Sequence, residues 1–187
     1  MARILRGKAH CLDGVLDVDW EISPIEDLHF LRSPEGMNLS YEEKQRYLAR
    51  SCLTRVDPDF PNKVLPGDML VGNKGVGWGH DHDHAVMALK GVGLSAVICE
   101  TTRQNFQRNC LHHGLPLIKI DGVFSRVSSG DMLELDLEAG TLTNESSGIR
   151  LVFKPYPEFI LETLDAGGLY AHKRHASGML IKRQPKG

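Results

Sequence analysis

The chain has 187 residues, 41% of them hydrophobic, and a formal net charge of −2 with a pI near 6.5. That length and apolar fraction fit one well-buried core in one domain, and the near-neutral balance excludes the basic footprint of a nucleic-acid binder. No apolar run approaches the length of a membrane span, and Met1-Ala2-Arg3-Ile4-Leu5-Arg6-Gly7-Lys8 lacks the long apolar region of a secretory signal, so a cytoplasmic chain touching neither membrane nor nucleic acid is expected.

Residues 3–12 read as a first strand, and 13–24 as a loop holding Asp17, Asp19 and Trp20. From there to about residue 56 the chain is polar and less regular, and such a segment can order on a partner. Within it, Ser40-Tyr41-Glu42-Glu43 matches a capping box. Leu48 and Cys52 then share one helical face, and Val56-Asp57-Pro58 ends the helix, because the residue before Pro is pushed out of the α region. Pro66-Gly67-Asp68 is a turn into a short buried strand, Met69-Leu70-Val71. A glycine loop follows, then a helix over 83–90 stopped by Gly91 and Gly93.

Ser95–Cys99 is a strand. Thr101 or Thr102 is expected to cap the next helix, which carries Phe106 and Cys110 four apart and closes at Gly114. Leu115–Ile120 is the next strand. The mode then changes: Met132–Leu137, Thr141–Asn144 and Ile149–Phe153, separated by turns at Ala139-Gly140 and Ser147-Gly148, predict an antiparallel meander. A last helix starts near Pro157-Glu158, carries Phe159, Ile160 and Leu164, and ends at Gly167-Gly168. Strand–helix alternation followed by a meander predicts a mixed α/β domain over 1–172, with a flexible basic tail over 173–187.

The chemistry concentrates in Gly77-Trp78-Gly79-His80-Asp81-His82-Asp83-His84-Ala85. Glycines let the backbone turn sharply and approach a ligand. The first helical turn beyond offers free N–H groups and the positive end of a dipole, which suit a carboxylate. Five titratable side chains in the same place make proton transfer possible. The four cysteines, Cys11, Cys52, Cys99 and Cys110, form no Cys-x-x-Cys pair. A zinc ion or iron–sulfur cluster held by this chain's thiols alone is therefore not expected, and Cys99 and Cys110 read as small core hydrophobes in a reducing cytosol.

Several segments together resemble the small subunit of 3-isopropylmalate dehydratase, which is also the swivel domain of aconitase. They are Asp17-Val18-Asp19, Asp57-Pro58-Asp59-Phe60 with Pro66-Gly67-Asp68, Arg108-Asn109 with Gly114-Leu115-Pro116, Gly130-Asp131, and Pro157-Glu158-Phe159 with Gly167-Gly168-Leu169. The resemblance runs from about Asp17 to Tyr170 and implies a swivelling β/β/α domain, with a mixed sheet or partly closed barrel and flanking helices. It also implies a hydro-lyase active only with a separate large subunit that carries a [4Fe–4S] cluster, acting on a small carboxylic acid such as a hydroxy-dicarboxylate. The glycine loop departs from the pattern. Where the family typically has Gly-Cys-Gly-Ser-Ser-Arg-Glu-His-Ala, this chain has Trp78 for the Cys, His80 and Asp81 for the two Ser, His82 for the Arg and Asp83 for the Glu. The family's first Ser is its base and its Arg grips a substrate carboxylate, so neither residue type is kept.

His80 stands where that base stands, and a free imidazole titrates near neutrality, so it can move a proton without the activation a hydroxyl needs. Asp81 is expected to orient it, as the carboxylate of a triad does. Gly77, Gly79 and His82 are candidates to touch substrate, although an imidazole cannot make the two-pronged contact of a guanidinium. Arg32, from the polar stretch, is the candidate to supply that fork. Asp83 reads as a helix cap or a neighbour's partner, and His84 as a structural hydrogen bonder. Asp17 and Asp19 read as supports of the loop, as do Arg108 and Asn109. His112, His113, His172 and His175 carry no spacing signal. His80, His82 and His84 would share one face of an extended segment and could hold zinc, but a loop entering a helix is expected to scatter them, so no metal ligand is assigned. Two other readings remain open: a non-catalytic regulatory or binding module on the same fold, and a self-contained metal-dependent enzyme built on the His/Asp run.

Overall fold

The computed structural model describes residues 3–171; the predicted basic tail, with His172 and His175, lies outside the described residues. Nine strands and seven α-helices form around a curled mixed sheet among the described residues. β1 (Ile4–Leu12), β3 (Met69–Gly72), β5 (Ala96–Cys99) and β6 (Leu117–Lys119) run parallel. On the other side of β1, the antiparallel β7 (Met132–Asp136), β8 (Thr141–Asn144) and β9 (Arg150–Val152) form the predicted meander. The sheet order is β6-β5-β3-β1-β7-β8-β9, so β1 joins the two halves.

The central strands β3 and β5 are buried on both faces, as strands covered on both sides must be. Leu70, Val97, Cys99 and Leu117 face one core, shared with Leu48 of α3 (Tyr41–Ala49), Val86 and Leu89 of α5 (His84–Gly91), and Phe106 and Cys110 of α6 (Gln104–His113). Met69, Val71, Ala96, Ile98 and Ile118 face the second core, with Leu133, Leu135 and Leu142 of the meander and Leu161 and Leu164 of α7 (Glu158–Asp165). Phe159 of α7 is 63% exposed, because the buried stripe passes through Leu161 and Leu164.

The stretch from 25 to 56 is more regular than its polarity suggests. It forms α1 (Ile25–Leu31), α2 (Pro34–Met37) and α3. A few anchors suffice: Leu28, Leu31, Leu48, Cys52 and Leu53 are all buried. The capping box at Ser40 and Glu43 closes in both directions, but α3 stops at Ala49, well before Pro58. The chain then folds back through turns, and Leu53 adopts a left-handed backbone (φ 57°) while its N–H bonds the Ile22 carbonyl. Neither threonine before α6 caps it. Thr101 Oγ1 accepts from the Gly75 N–H and Thr102 Oγ1 donates to the Val76 carbonyl, so both hold the glycine loop instead.

Candidate active site

The site lies beyond the carboxyl ends of the parallel strands, where open α/β sheets place their ligands. β1 leads into β2 (Leu16–Asp17), which pairs with β4 (Val76–Trp78), the first part of the glycine loop. The pairing makes residues 76–78 a strand rather than free loop. After β2 comes a five-residue π-helical turn, Val18–Ile22, of the rare kind often found at functional sites. Its start is fixed by Asp17, whose Oδ1 accepts from the Asp19 N–H at 2.8 Å.

Gly77 and Gly79 are required by space as well as backbone. Gly77 has φ +70°, and a Cβ there would lie 2.0 Å from the Phe106 ring; at Gly79 (φ +89°) it would lie 2.2 Å from Asp17 Oδ2. The two glycines thus let the loop pack between α6 and the Asp17 carboxylate.

That packing delivers the three imidazoles to one carboxylate. Asp19, 9% exposed, has Oδ2 2.8 Å from His80 Nδ1 and Oδ1 2.9 Å from His82 Nδ1. His84 Nε2 stands 3.8 Å from Oδ1 and 3.1 Å from the Ser23 carbonyl, to which it donates. The rings form a row, His80–His82 with centroids 5.5 Å apart and His82–His84 6.0 Å apart. The expected scattering does not occur, because residues 79–83 stay non-helical and the helix begins only at His84. Exposure grades along the row: the His80 side chain is 76% exposed, His82 25% and His84 1%. Burial pushes the His84 imidazole down from its ordinary titration range, against the Ser23 bond and the Asp19 charge.

The partner of His80 is therefore Asp19, not Asp81. The Asp81 side chain is exposed, and its contribution is the main-chain carbonyl, which accepts from Asn109 Nδ2 at 2.9 Å. Asn109 on α6 is buried and holds the loop; its neighbour Arg108 points to solvent and does not touch the cluster. Arg32 ends α1, exposed, and no contact joins it to the imidazoles. Asp83 occupies the N-cap position of α5, but its side chain makes no cap. Its carboxylate bonds His113 Nε2 at 3.0 Å, and His113 Nδ1 meets the Tyr41 hydroxyl at 2.7 Å. The His113 bond, opposed by burial, holds the Asp83 carboxyl below the usual range.

This Asp83–His113–Tyr41 chain, linking α5, α6 and α3, was invisible in sequence because its members are 30 and 72 residues apart. Two exposed tryptophans beside the site were also unforeseen as a pair: the Arg55 guanidinium lies 3.7 Å over Trp20, and Arg103 lies 4.1 Å over Trp78.

Cys52, Cys99 and Cys110 are buried and Cys11 is half-buried. Burial pushes the Cys52 and Cys110 thiols up, and that of Cys99 up to about 12. These cysteines form no group that could ligate a metal or cluster among the described residues, so the donor set does not fit an iron–sulfur centre held by this chain. No helix among the described residues is long and apolar enough to cross a membrane.

The mixed sheet with flanking helices is a swivel-type α/β domain, with an imidazole-rich loop outside its parallel strands. The crystal structure of 3-isopropylmalate dehydratase from Methanocaldococcus jannaschii superposes with a TM-score of 0.81 at 27% identity, over 97% of this chain and 99% of that one. The isopropylmalate/citramalate isomerase small subunit of the same organism is 45% identical over 135 residues, 71% of this chain and 80% of that protein. The 3-isopropylmalate dehydratase small subunit of Caldicellulosiruptor bescii is 35% identical over 166 residues, 89% and 92% respectively. No family profile matches the chain. The chain belongs to the family of 3-isopropylmalate dehydratase small subunits.

Proposed function

We propose that this chain is the small subunit of a two-component hydro-lyase that reversibly removes water from a hydroxy-dicarboxylic acid, and that His80 moves the carbon-bound proton. Family membership supports the reaction class. One observation carries the assignment within this chain: His80 Nδ1 lies 2.8 Å from a nearly buried carboxylate, Asp19, while the ring is 76% exposed. With its proton on Nδ1, toward Asp19, the ring would carry its lone pair on Nε2. That nitrogen is the one that can accept a proton from substrate, and Asp19 stabilises the imidazolium that results.

Dehydration breaks a C–H bond and the C–O bond of the neighbouring carbon, giving an alkene and water. The C–H proton goes to His80 Nε2, the hydroxyl leaves as hydroxide and takes a proton from solvent to become water, and the imidazolium gives its proton back to solvent; hydration runs the same steps in reverse. The Lewis acid for the departing hydroxyl would come from a [4Fe–4S] cluster on a separate large subunit. His82, on the same carboxylate, presents one ring nitrogen rather than a guanidinium fork, so the substrate group beside it is held by a single contact. Arg32 is the reserve fork, brought to bear only in the assembled enzyme.

The test is anaerobic co-purification with the large subunit, followed by an assay of alkene formation from hydroxy-dicarboxylates. The reading expects a stable pair with dehydratase turnover. A stable pair inert toward every hydroxy-dicarboxylate offered would point to a non-catalytic module on this fold and overturn the reading.

A further inference from the structure

His82 Nδ1 straddles the Asp19 carboxylate, 2.9 Å from Oδ1 and 3.0 Å from Oδ2, while His84 Nε2 stands 3.8 Å from Oδ1. One ligand atom from each of Asp19, His82 and His84 falls within 4.8 Å of the others. We propose that these three residues bind one divalent transition-metal ion of the zinc or ferrous class, at a site on this chain that shares Asp19 and His82 with the proposed proton-transfer machinery and is tested without turnover.

The donor set is two imidazoles and one carboxylate, which suits first-row transition ions and not magnesium or calcium. The spacing also fits. Bonds of ~2.0–2.1 Å in tetrahedral geometry put ligand atoms ~3.3 Å apart, and the contacts to Oδ1 bracket that value at 2.9 Å for His82 and 3.8 Å for His84. Small movements of a half-buried side chain close the difference.

A second observation points to the same spot. Among the described residues, only Ser23 Oγ and His84 Nδ1 are buried side-chain polar atoms without a hydrogen-bond partner. The two residues are joined through other atoms, His84 Nε2 and the Ser23 carbonyl. Buried polar atoms are nearly always paired with protein, water or an ion. His84 Nε2, the nitrogen 3.8 Å from Asp19 Oδ1, now donates to the Ser23 carbonyl; ligation through it would exchange that bond for the metal and move the ring proton to the unpaired Nδ1. Binding would displace the proton shared by His82 Nδ1 and Asp19, so uptake should release protons and weaken as pH falls. Three protein ligands leave a coordination position for water or a substrate carboxylate oxygen, on the side where His80 opens to solvent.

The experiment uses the full purified chain stripped with EDTA and titrated with Zn2+, with Mg2+ as control, followed by calorimetry and thermal melting. One equivalent of Zn2+ should bind and raise Tm, and Mg2+ should not. Asp19→Asn and His82→Ala should each weaken Zn2+ binding at least ~10-fold, a loss of ~1.4 kcal/mol. Co2+ should give a spectrum without thiolate charge transfer, which excludes the cysteines. Should the variants fail to fold, imidazole nitrogen NMR of the wild-type chain decides: Zn2+ must shift His82 and His84 and leave His10 and His113 unmoved. Absence of Zn2+ uptake, uptake unchanged in both folded variants, a thiolate band, or shifts at other histidines instead would overturn the proposal.

Discussion

Two aspartates sit at opposite ends of the parallel strands, each against histidine, and they do different work. At the amino end of β3, Asp68 is 4% exposed. Its Oδ1 accepts the Lys8 N–H at 3.0 Å, and its Oδ2 takes the Leu65 N–H at 3.0 Å and His10 Nε2 at 2.8 Å. Both oxygens of that carboxylate are engaged, and His10 is itself packed edge-on against Phe60. At the carboxyl end, Asp19 is nearly as buried but meets imidazoles that run outward to solvent. The same pair of residue types locks β1 to β3 at one end and leaves an imidazole open to solvent at the other. The difference lies in the exposure of the ring, 17% for the His10 side chain and 76% for that of His80.

The comparison breaks first at Asp19. Asp19→Asn should keep the fold but lower kcat of the reconstituted enzyme by ~10²–10⁴, about 2.7–5.5 kcal/mol of barrier, read by steady-state turnover. Asp68→Asn should do the reverse. It should cost ~1–3 kcal/mol of folding stability at neutral pH with kcat unchanged, read by urea unfolding and turnover. Its pH dependence has a fixed sign. Burial alone would raise the Asp68 carboxyl, but the bonds from His10, Leu65 and Lys8 outweigh it and hold the group below the ordinary value. The stabilisation is therefore fully present above the unfolded-state value of ~3.9 and is lost as pH falls through the lower folded value. The gap between wild type and Asp68→Asn should close in acid.

His113→Ala should be milder, ~1–2 kcal/mol, because Asp83 keeps about half of its side chain in water. It should leave the His80 chemistry intact, since both of its ring nitrogens already bind Asp83 and Tyr41. The smallest change is expected at Arg32→Ala. Stability should move by less than ~0.5 kcal/mol, while KM rises at constant kcat if the guanidinium grips a substrate carboxylate.

The fold was legible where local signals agree. The Ser40 capping box, the turn before Met69, the stop at Gly114 and the alternation over Met132–Leu137 each carry their own physical cause. What failed depended on distant partners. The polar stretch from 25 to 56 becomes helical because a few leucines find a core built from later strands. Thr101 and Thr102 abandon a helix they could cap for a loop 26 residues earlier. The position of the site was readable from the crowding of His and Asp, but its wiring was not. Sequence proximity favoured Asp81 as the partner of His80, and only the pairing of β2 with β4 brings Asp19, 61 positions away, to that role.

The most direct measurement is turnover of the reconstituted enzyme carrying His80→Ala, with and without added imidazole. The Asp19–His80 pair predicts a fall of ~10² or more at unchanged melting temperature, with part of the rate restored by imidazole entering the vacated exposed position. Turnover at the wild-type rate without imidazole would contradict it.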